Sequence, residues 1–276
     1  METNKEIKHP IFTYFGGKWQ IAPWILSFIP AHKIYVEPFG GGGSILLRKP
    51  RSHVEVYNDL DQEIVNVFQV FRDYPNELIR ALDLTPYARD EYYLACEPME
   101  SNDPVERARR AIVRSHFSFG STGLFYGAYP GFRTGDVDRF TTFAEGWDKY
   151  ANSLLSVVDR LKGVTIENKD AMGLFPVWDT PETVFYVDPP YLLSTRSQRY
   201  KKIYNYEMTE EQHKSLLDKL LVLSGMVIVS GYESELYDSM LSGWERHTRK
   251  VLAGGGTTSS LSDRERTEVL WIKHSN

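Results

Sequence analysis

The chain has 276 residues, a formal net charge of −5, one cysteine, 42% hydrophobic and 25% charged residues. That length fits one large domain or a domain carrying a substantial insertion, and the balanced composition excludes collagen-like, coiled-coil and disordered classes. A lone Cys96 excludes an internal disulfide framework and a multi-cysteine zinc site, while the charged opening METNKEIKHP and the short, interrupted apolar runs lead us to expect a cytoplasmic protein without a membrane span.

In chain order, IYVEP (34–38) reads as a short buried strand running into a glycine turn. GSILLRKP (43–50) reads as a helix stopped by Pro50, and VEVYND (54–59) as an alternating strand ending on polar residues. Strand, loop, helix and strand in that order are the building block of a parallel α/β sheet. From about Leu60 to Arg160 the period is mostly helical, through DQEIVNVFQVFRDYP, PNELIRALDL and DPVERARRAIVRSHF. The stretch FSFGSTGLFYGAYPGFRTGD (117–136) reads as loops and short hairpins with aromatic and basic residues interleaved. Strands return with VTIEN (164–168), TVFYVD (183–188), MVIVSGY (226–232) and EVLWIK (268–273), and EEQHKSLLDKLLVL (210–223) has helical spacing. The expected organisation is an α/β domain from residues 1–61 and 161–276 with a mostly helical insertion over 62–160.

The acidic total argues only weakly against a nucleic-acid partner, because phosphate binding needs a local basic surface. Three short basic clusters exist: Arg107, Arg109, Arg110 and Arg114; Arg196, Arg199, Lys201 and Lys202; and Arg246, His247, Arg249 and Lys250. Taken alone, each is an ordinary solvated face.

Chemistry concentrates at three strand ends. GGGGS (40–44) follows the strand YVEPF, and glycines at a strand-to-helix turn let backbone approach a ligand closely. There is no GK[ST] ending for a triphosphate, and Ile45 stands where a dinucleotide fingerprint needs its third glycine. Asn58-Asp59 ends the next strand, and an acid about 20 residues past such a loop is placed for ribose hydroxyls. Asp188-Pro189-Pro190-Tyr191 ends a third strand. Two prolines fix φ and remove two donors, leaving a rigid turn with carbonyl acceptors, one carboxylate and one ring. That set suits a planar amine: carboxylate and proline carbonyl accept both hydrogens of an exocyclic NH2, and the ring stacks beneath it.

With these motifs in this order, the chain resembles the Dam-like (D12 class) DNA adenine-N6 methyltransferases. The matching segments are Tyr14-Phe15-Gly16-Gly17-Lys18, Val36 to Ser44, Asn58 to Asp61, and Asp188 to Tyr191, with weaker likeness at Asp170-Ala171-Met172, at His213 with Leu216 and Leu217, and at Val229 to Tyr232. The resemblance implies a Rossmann-like α/β sheet with an inserted target-recognition domain, S-adenosyl-L-methionine as methyl donor, and duplex DNA as partner. It implies cofactor contacts from Tyr14, Phe15, Gly16, Gly17, Lys18, Glu37, Pro38, Phe39, Gly40, Gly42, Ser44, Asn58, Asp59, Asp170, Ala171 and Asp188. It also implies a catalytic turn of Asp188, Pro189, Pro190 and Tyr191, acting on a base flipped out of the duplex. DNA contacts are expected from Arg114, Ser118 and Arg133 in the insertion and from Arg196, Arg199, Lys201 and Lys202 after the catalytic turn. No His/Asp/Glu spacing indicates a metal, and His213 is expected to pack rather than to catalyse. A monomer is expected, with pairing on DNA left open. The alternatives are cytosine-N4 methylation, an RNA or protein amide substrate, and a catalytically silent DNA-binding relative; the leading Asp188 and the long insertion favour adenine in duplex DNA.

Overall fold

The computed structural model describes residues 7–99, 102–120, 123–124, 130–134, 142–196, 203–252 and 265–275. The chain divides into two units. The helical unit comprises Met1–Phe28, Gly41–Pro50 and Asp61–Ile166, and the sheet unit Ile29–Gly40, Arg51–Leu60 and Glu167–Asn276. The chain therefore changes unit inside the glycine turn, between Gly40 and Gly41. The residues expected as an insertion lie in the helical unit, together with the N-terminal segment and residues 41–50.

Seven strands form one sheet in the order β3-β2-β1-β4-β5-β7-β6. They are β1 (Ile34–Glu37), β2 (Val54–Asn58), β3 (Val164–Glu167), β4 (Thr183–Val187), β5 (Met226–Tyr232), β6 (Glu245–Leu252) and β7 (Glu265–Lys273). β1 runs parallel to both β2 and β4, and β4 parallel to β5; β7 is antiparallel to β5 and to β6. The α/β sheet read from the sequence is thus present, and it closes with an antiparallel pair.

Period-2 alternation sorts the sheet unit's strands. Val36, Val56, Phe185, Val187, Val227, Val229, Val269 and Trp271 point to one face and form a core with Leu216, Leu217 and Leu220 of the helix Glu210–Leu221. That helix begins with a capping box between Thr209 and Gln212, which satisfies its first amide groups. His213 packs in this layer, fully buried, with Nδ1 2.7 Å from the Tyr237 hydroxyl. The intervening residues, among them Tyr35, Glu37, Tyr186, Ser230 and Glu268, occupy the opposite face and are buried.

The helical unit is built on amphipathic faces. Gln62–Asp73, capped by the Asp61 side chain, buries Ile64, Val65, Val67, Phe68, Val70 and Phe71. Pro104–Phe117, capped by Asp103 with proline at its first position, buries Ala108, Ala111, Ile112 and Val113, and Tyr150–Leu161 buries Leu154, Val157 and Leu161. Arg89–Cys96 and β6 were not read from the sequence. β6 exposes most of its residues, so it lacks apolar alternation and owes its extended state to pairing with β7. Ser118 and Phe132 form an isolated antiparallel bridge within the aromatic stretch read as loops and hairpins.

Candidate active site

Within the sheet unit, parallel pairing places the C-terminal ends of β1, β2, β4 and β5 along one edge. The strand order reverses between β1 and β4, because the chain moves from β1 to β2 on one side and from β4 to β5 on the other. Ligands of open α/β sheets bind at such a switch point. Val36 pairs with Phe185, so Glu37-Pro38-Phe39-Gly40 and Asp188-Pro189-Pro190-Tyr191 leave adjacent strands side by side.

Asp188 is held from β5: the Ser230 hydroxyl donates to its Oδ1 at 2.7 Å. Because Ser230 has one hydroxyl hydrogen, the 3.1 Å contact between Tyr186 and Ser230 oxygens is donated by Tyr186. Tyr186 to Ser230 to Asp188 is then a one-way chain ending on the carboxylate. Tyr191 donates its hydroxyl to Glu268 Oε1 on β7, and its ring meets Tyr232 edge-on with centroids 4.7 Å apart. Burial, reinforced by the negative charges of Asp188 and Glu268, pushes the Tyr191 hydroxyl well above its usual range, so it remains a donor. Tyr186 is raised in the same direction, first by burial and then by Asp188.

Asn58, fully buried, joins the neighbouring loops. Its Nδ2 donates to the carbonyls of Pro38 (2.8 Å) and Lys169 (3.0 Å), and its Oδ1 accepts from the Lys169 amide at 3.0 Å. Its side chain is thereby committed to backbone groups of two loops at the ends of β1 and β3. Asn168 donates to the carbonyls of Asp59 and Leu60, and Asp170 caps the turn holding Ala171 by accepting from the Met172 amide at 2.8 Å. Asp59 is half-buried at the end of β2. Glu37 is buried and accepts the Tyr35 hydroxyl at 2.9 Å. A Cβ on Gly40 would stand 2.2 Å from Tyr57 Cε2, so the Tyr57 ring leaves no room for one.

Within the helical unit, the Tyr14–Lys18 segment and Gly41 to Ser44 come together. The Gly17 amide bonds the Tyr14 carbonyl at 3.0 Å, closing a turn through Phe15 and Gly16, and Lys18 Nζ donates to the Gly16 carbonyl at 2.7 Å. A Cβ on Gly41 would stand 2.8 Å from Tyr14 Cε1. Gly41 and Gly43 have φ of +46° and +63°, which favour glycine, and Gly43 leads into the helix Ser44–Arg48.

The residues expected to face DNA divide sharply. Arg114 is 7% exposed and donates to the Ala95 carbonyl at 2.8 Å, and Ser118 is fully buried and bonds the Arg114 carbonyl. Arg114 is carried inward on the buried face of Pro104–Phe117, and Ser118 caps the end of that helix. The rest of that cluster forms ion pairs: Arg107 with Glu63, Arg109 with Glu91 and Glu106, and Arg110 with Glu106. Arg133 is half-buried, with its guanidinium 3.8 Å from the Phe143 ring centre. Arg196 is buried against Glu207 at 2.9 Å, and Glu207 also accepts the Ile203 and Tyr204 amides. Arg199, Lys201 and Lys202 lie outside the described residues.

Ser230, Tyr186 and Glu268 received no role from the sequence. A signal existed for Glu268: in TEVLWIK it shares a period-2 face with Leu270 and Ile272, an acid on a buried side.

The sequence pattern of the family described as D12 class N6 adenine-specific DNA methyltransferase matches residues 14–253. The chain belongs to this family. The match spans both units and every candidate motif, and it favours adenine over the other substrates left open. A Type II methyltransferase of Lactococcus lactis subsp. cremoris is 25% identical over 300 aligned positions, covering 100% of this chain and 99% of the relative. One from Methanocaldococcus jannaschii is 24% identical, covering 90% of this chain and 92% of the relative. The DNA adenine methylase of Escherichia coli (strain K12) is 20% identical, covering 90% and 91%. Among the described residues of this methyltransferase, no helix is long and apolar enough to cross a membrane.

Proposed function

We propose that this chain transfers a methyl group from S-adenosylmethionine to the N6 of an adenine flipped out of duplex DNA, with Asp188, Pro189, Pro190 and Tyr191 as the catalytic turn. The observation that carries the reading is the hold on that turn, whose carboxylate is fixed by Ser230 and whose phenol is fixed by Glu268.

The residues present fit such a cofactor. Main chain lines the turn after β1, since Gly40 is pressed on Tyr57 and Gly41 and Gly43 take angles that favour glycine. Asp59 supplies an acid at the end of β2 for ribose hydroxyls. We assign Glu37, Pro38, Phe39, Gly40, Gly42 and Ser44 to its methionine and ribose parts, Tyr14 to Lys18 to the methionine end, and Asp170 with Ala171 to its adenine. Asn58 acts through the loops it joins. When bound, the cofactor supplies a methyl group activated on a sulfonium.

The chain's own residues then govern the amine. Asp188 and the Pro189 carbonyl accept the two N6 hydrogens, which favours a tetrahedral nitrogen and frees its lone pair. Ser230 occupies one Asp188 oxygen and so selects the carboxylate rotamer. Tyr191 replaces the stacking that the base loses on leaving the helix, and the prolines keep both acceptors in register. A carboxylate is too weak a base to take a proton from a neutral aromatic amine, so the proton leaves after methylation, from a cationic nitrogen. We assign target recognition to residues 62–160, with Arg133 and the basic run Arg199, Lys201 and Lys202 meeting phosphates.

The test is nucleoside mass spectrometry on unmethylated DNA incubated with the protein and S-adenosylmethionine. N6-methyladenine is expected. N4-methylcytosine would overturn the base assignment, and no modified base would overturn the activity.

A further inference from the structure

We propose that Glu268 is a positioning residue for methyl transfer: by accepting the Tyr191 hydroxyl it anchors, together with the Tyr232 ring, the tyrosine on which the flipped base stacks. The inference rests on the catalytic reading of Asp188 to Tyr191 given above.

Glu268 sits in an unusual place for an acid. β7 alternates Val269 and Trp271 toward the core with Glu268, Leu270 and Ile272 toward the opposite face, and Glu268 is 3% exposed. Burying a carboxylate is unfavourable unless its oxygens are hydrogen-bonded, so an apolar residue would serve better if the position only filled space. The carboxylate accepts the Tyr191 hydroxyl. The strand register makes this partnership possible. Glu268 pairs with Tyr232 on β5, and the Tyr232 ring packs edge-on against Tyr191 at 74°. Tyr191 is therefore fixed at its far end by a hydrogen bond and along its ring by a neighbour, and both restraints come from adjacent residues across one strand pair. A tyrosine ring turns about two side-chain angles; the hydroxyl lies on the axis of the second, so the bond to Glu268 fixes the direction of the ring's long axis while the edge-on Tyr232 ring restrains rotation about it. Stacking geometry decides how the amine presents its lone pair, and small misplacements of reacting groups cost large factors in rate.

The test uses the full chain with saturating cofactor, measuring kcat, KM for DNA and cofactor Kd for Glu268→Ala, Glu268→Gln, Tyr191→Phe and the Tyr191→Phe/Glu268→Ala double variant. Glu268→Ala should lower kcat about tenfold or more, with KM and Kd within about twofold. Glu268→Gln retains an acceptor oxygen and should stay within about threefold of the parent. The double variant should be no slower than the slower single variant, because both changes remove one bond. Should the alanine variant fail to fold, Glu268→Leu fills the same space and carries the same comparison. An unchanged kcat in Glu268→Ala, a glutamine variant as slow as alanine, additive losses, or a loss confined to cofactor binding would each overturn the proposal. The parent's own yield of N6-methyladenine in the same assay reports separately on the functional reading, so the two failures are distinguishable.

Discussion

Replacing Asn58 by alanine should loosen the loops around the sheet's switch point. Three hydrogen bonds depend on its amide: two donated to the carbonyls of Pro38 and Lys169, and one accepted from the Lys169 amide. Each buried bond contributes about 1 kcal/mol net, so the loss is about 3 kcal/mol, less whatever a water entering the vacated space restores. The same loops carry Gly40 and Asp170, so cofactor affinity should fall by about tenfold or more as well. Asn58→Asp keeps size and shape but turns the double donor into an acceptor facing two carbonyls, and should be at least as damaging as alanine. Urea unfolding gives the stability change, with an unchanged slope showing that the same surface is exposed, and calorimetric titration gives the affinity. An aspartate variant as stable as the parent would refute the reasoning, because no arrangement of these groups then requires the amide.

Asp188→Ala should abolish transfer while leaving cofactor Kd within about threefold, since it removes an amine acceptor and not a cofactor cradle; single-turnover rates and calorimetry check the pair. Asp59→Ala should weaken cofactor binding by about tenfold, and an unchanged Kd would sink the ribose assignment. Arg114→Met should lower stability without changing the salt dependence of DNA binding, because the side chain serves the Ala95 carbonyl; a reduced salt slope would place it at a phosphate after all. His116 and His213 are both held at a pKa of about 4 by burial, against 6.5 when unfolded. The unfolded chain therefore binds their protons first, and the stability present above pH 6.5 declines as pH falls from 6.5 toward 4. Equilibrium unfolding across that range should show the decline, and His213→Phe should flatten it; an equal slope in the variant would contradict the burial argument.

Much of the sheet is legible in the amino-acid order, because its signals are local. IYVEP, VEVYND, TVFYVD and MVIVSGY combine apolar runs with polar, glycine or proline stops, and each is a strand within a residue or so of the expected limits. β6 could not be read: its residues are mostly exposed and polar, and pairing with β7 makes it a strand. A charge count along RARRAIVRSH likewise does not say which helix face each cation occupies. Helical spacing carries Arg114 inward, and the nearby Ala95 carbonyl gives it a partner.

The amino-acid order alone specifies which chemical groups stand at which strand end: glycines after β1, an acid after β2, and Asp-Pro-Pro-Tyr after β4. Those assignments depend on backbone preferences and periodicities that act over a few residues. What holds the groups in place is set by long-range strand pairing. Ser230 reaches Asp188 and Glu268 reaches Tyr191 through the registers of β4 with β5 and of β5 with β7. Those partners lie 42 and 77 residues apart in the chain, and a shift of one residue in either pairing would turn them to the opposite face.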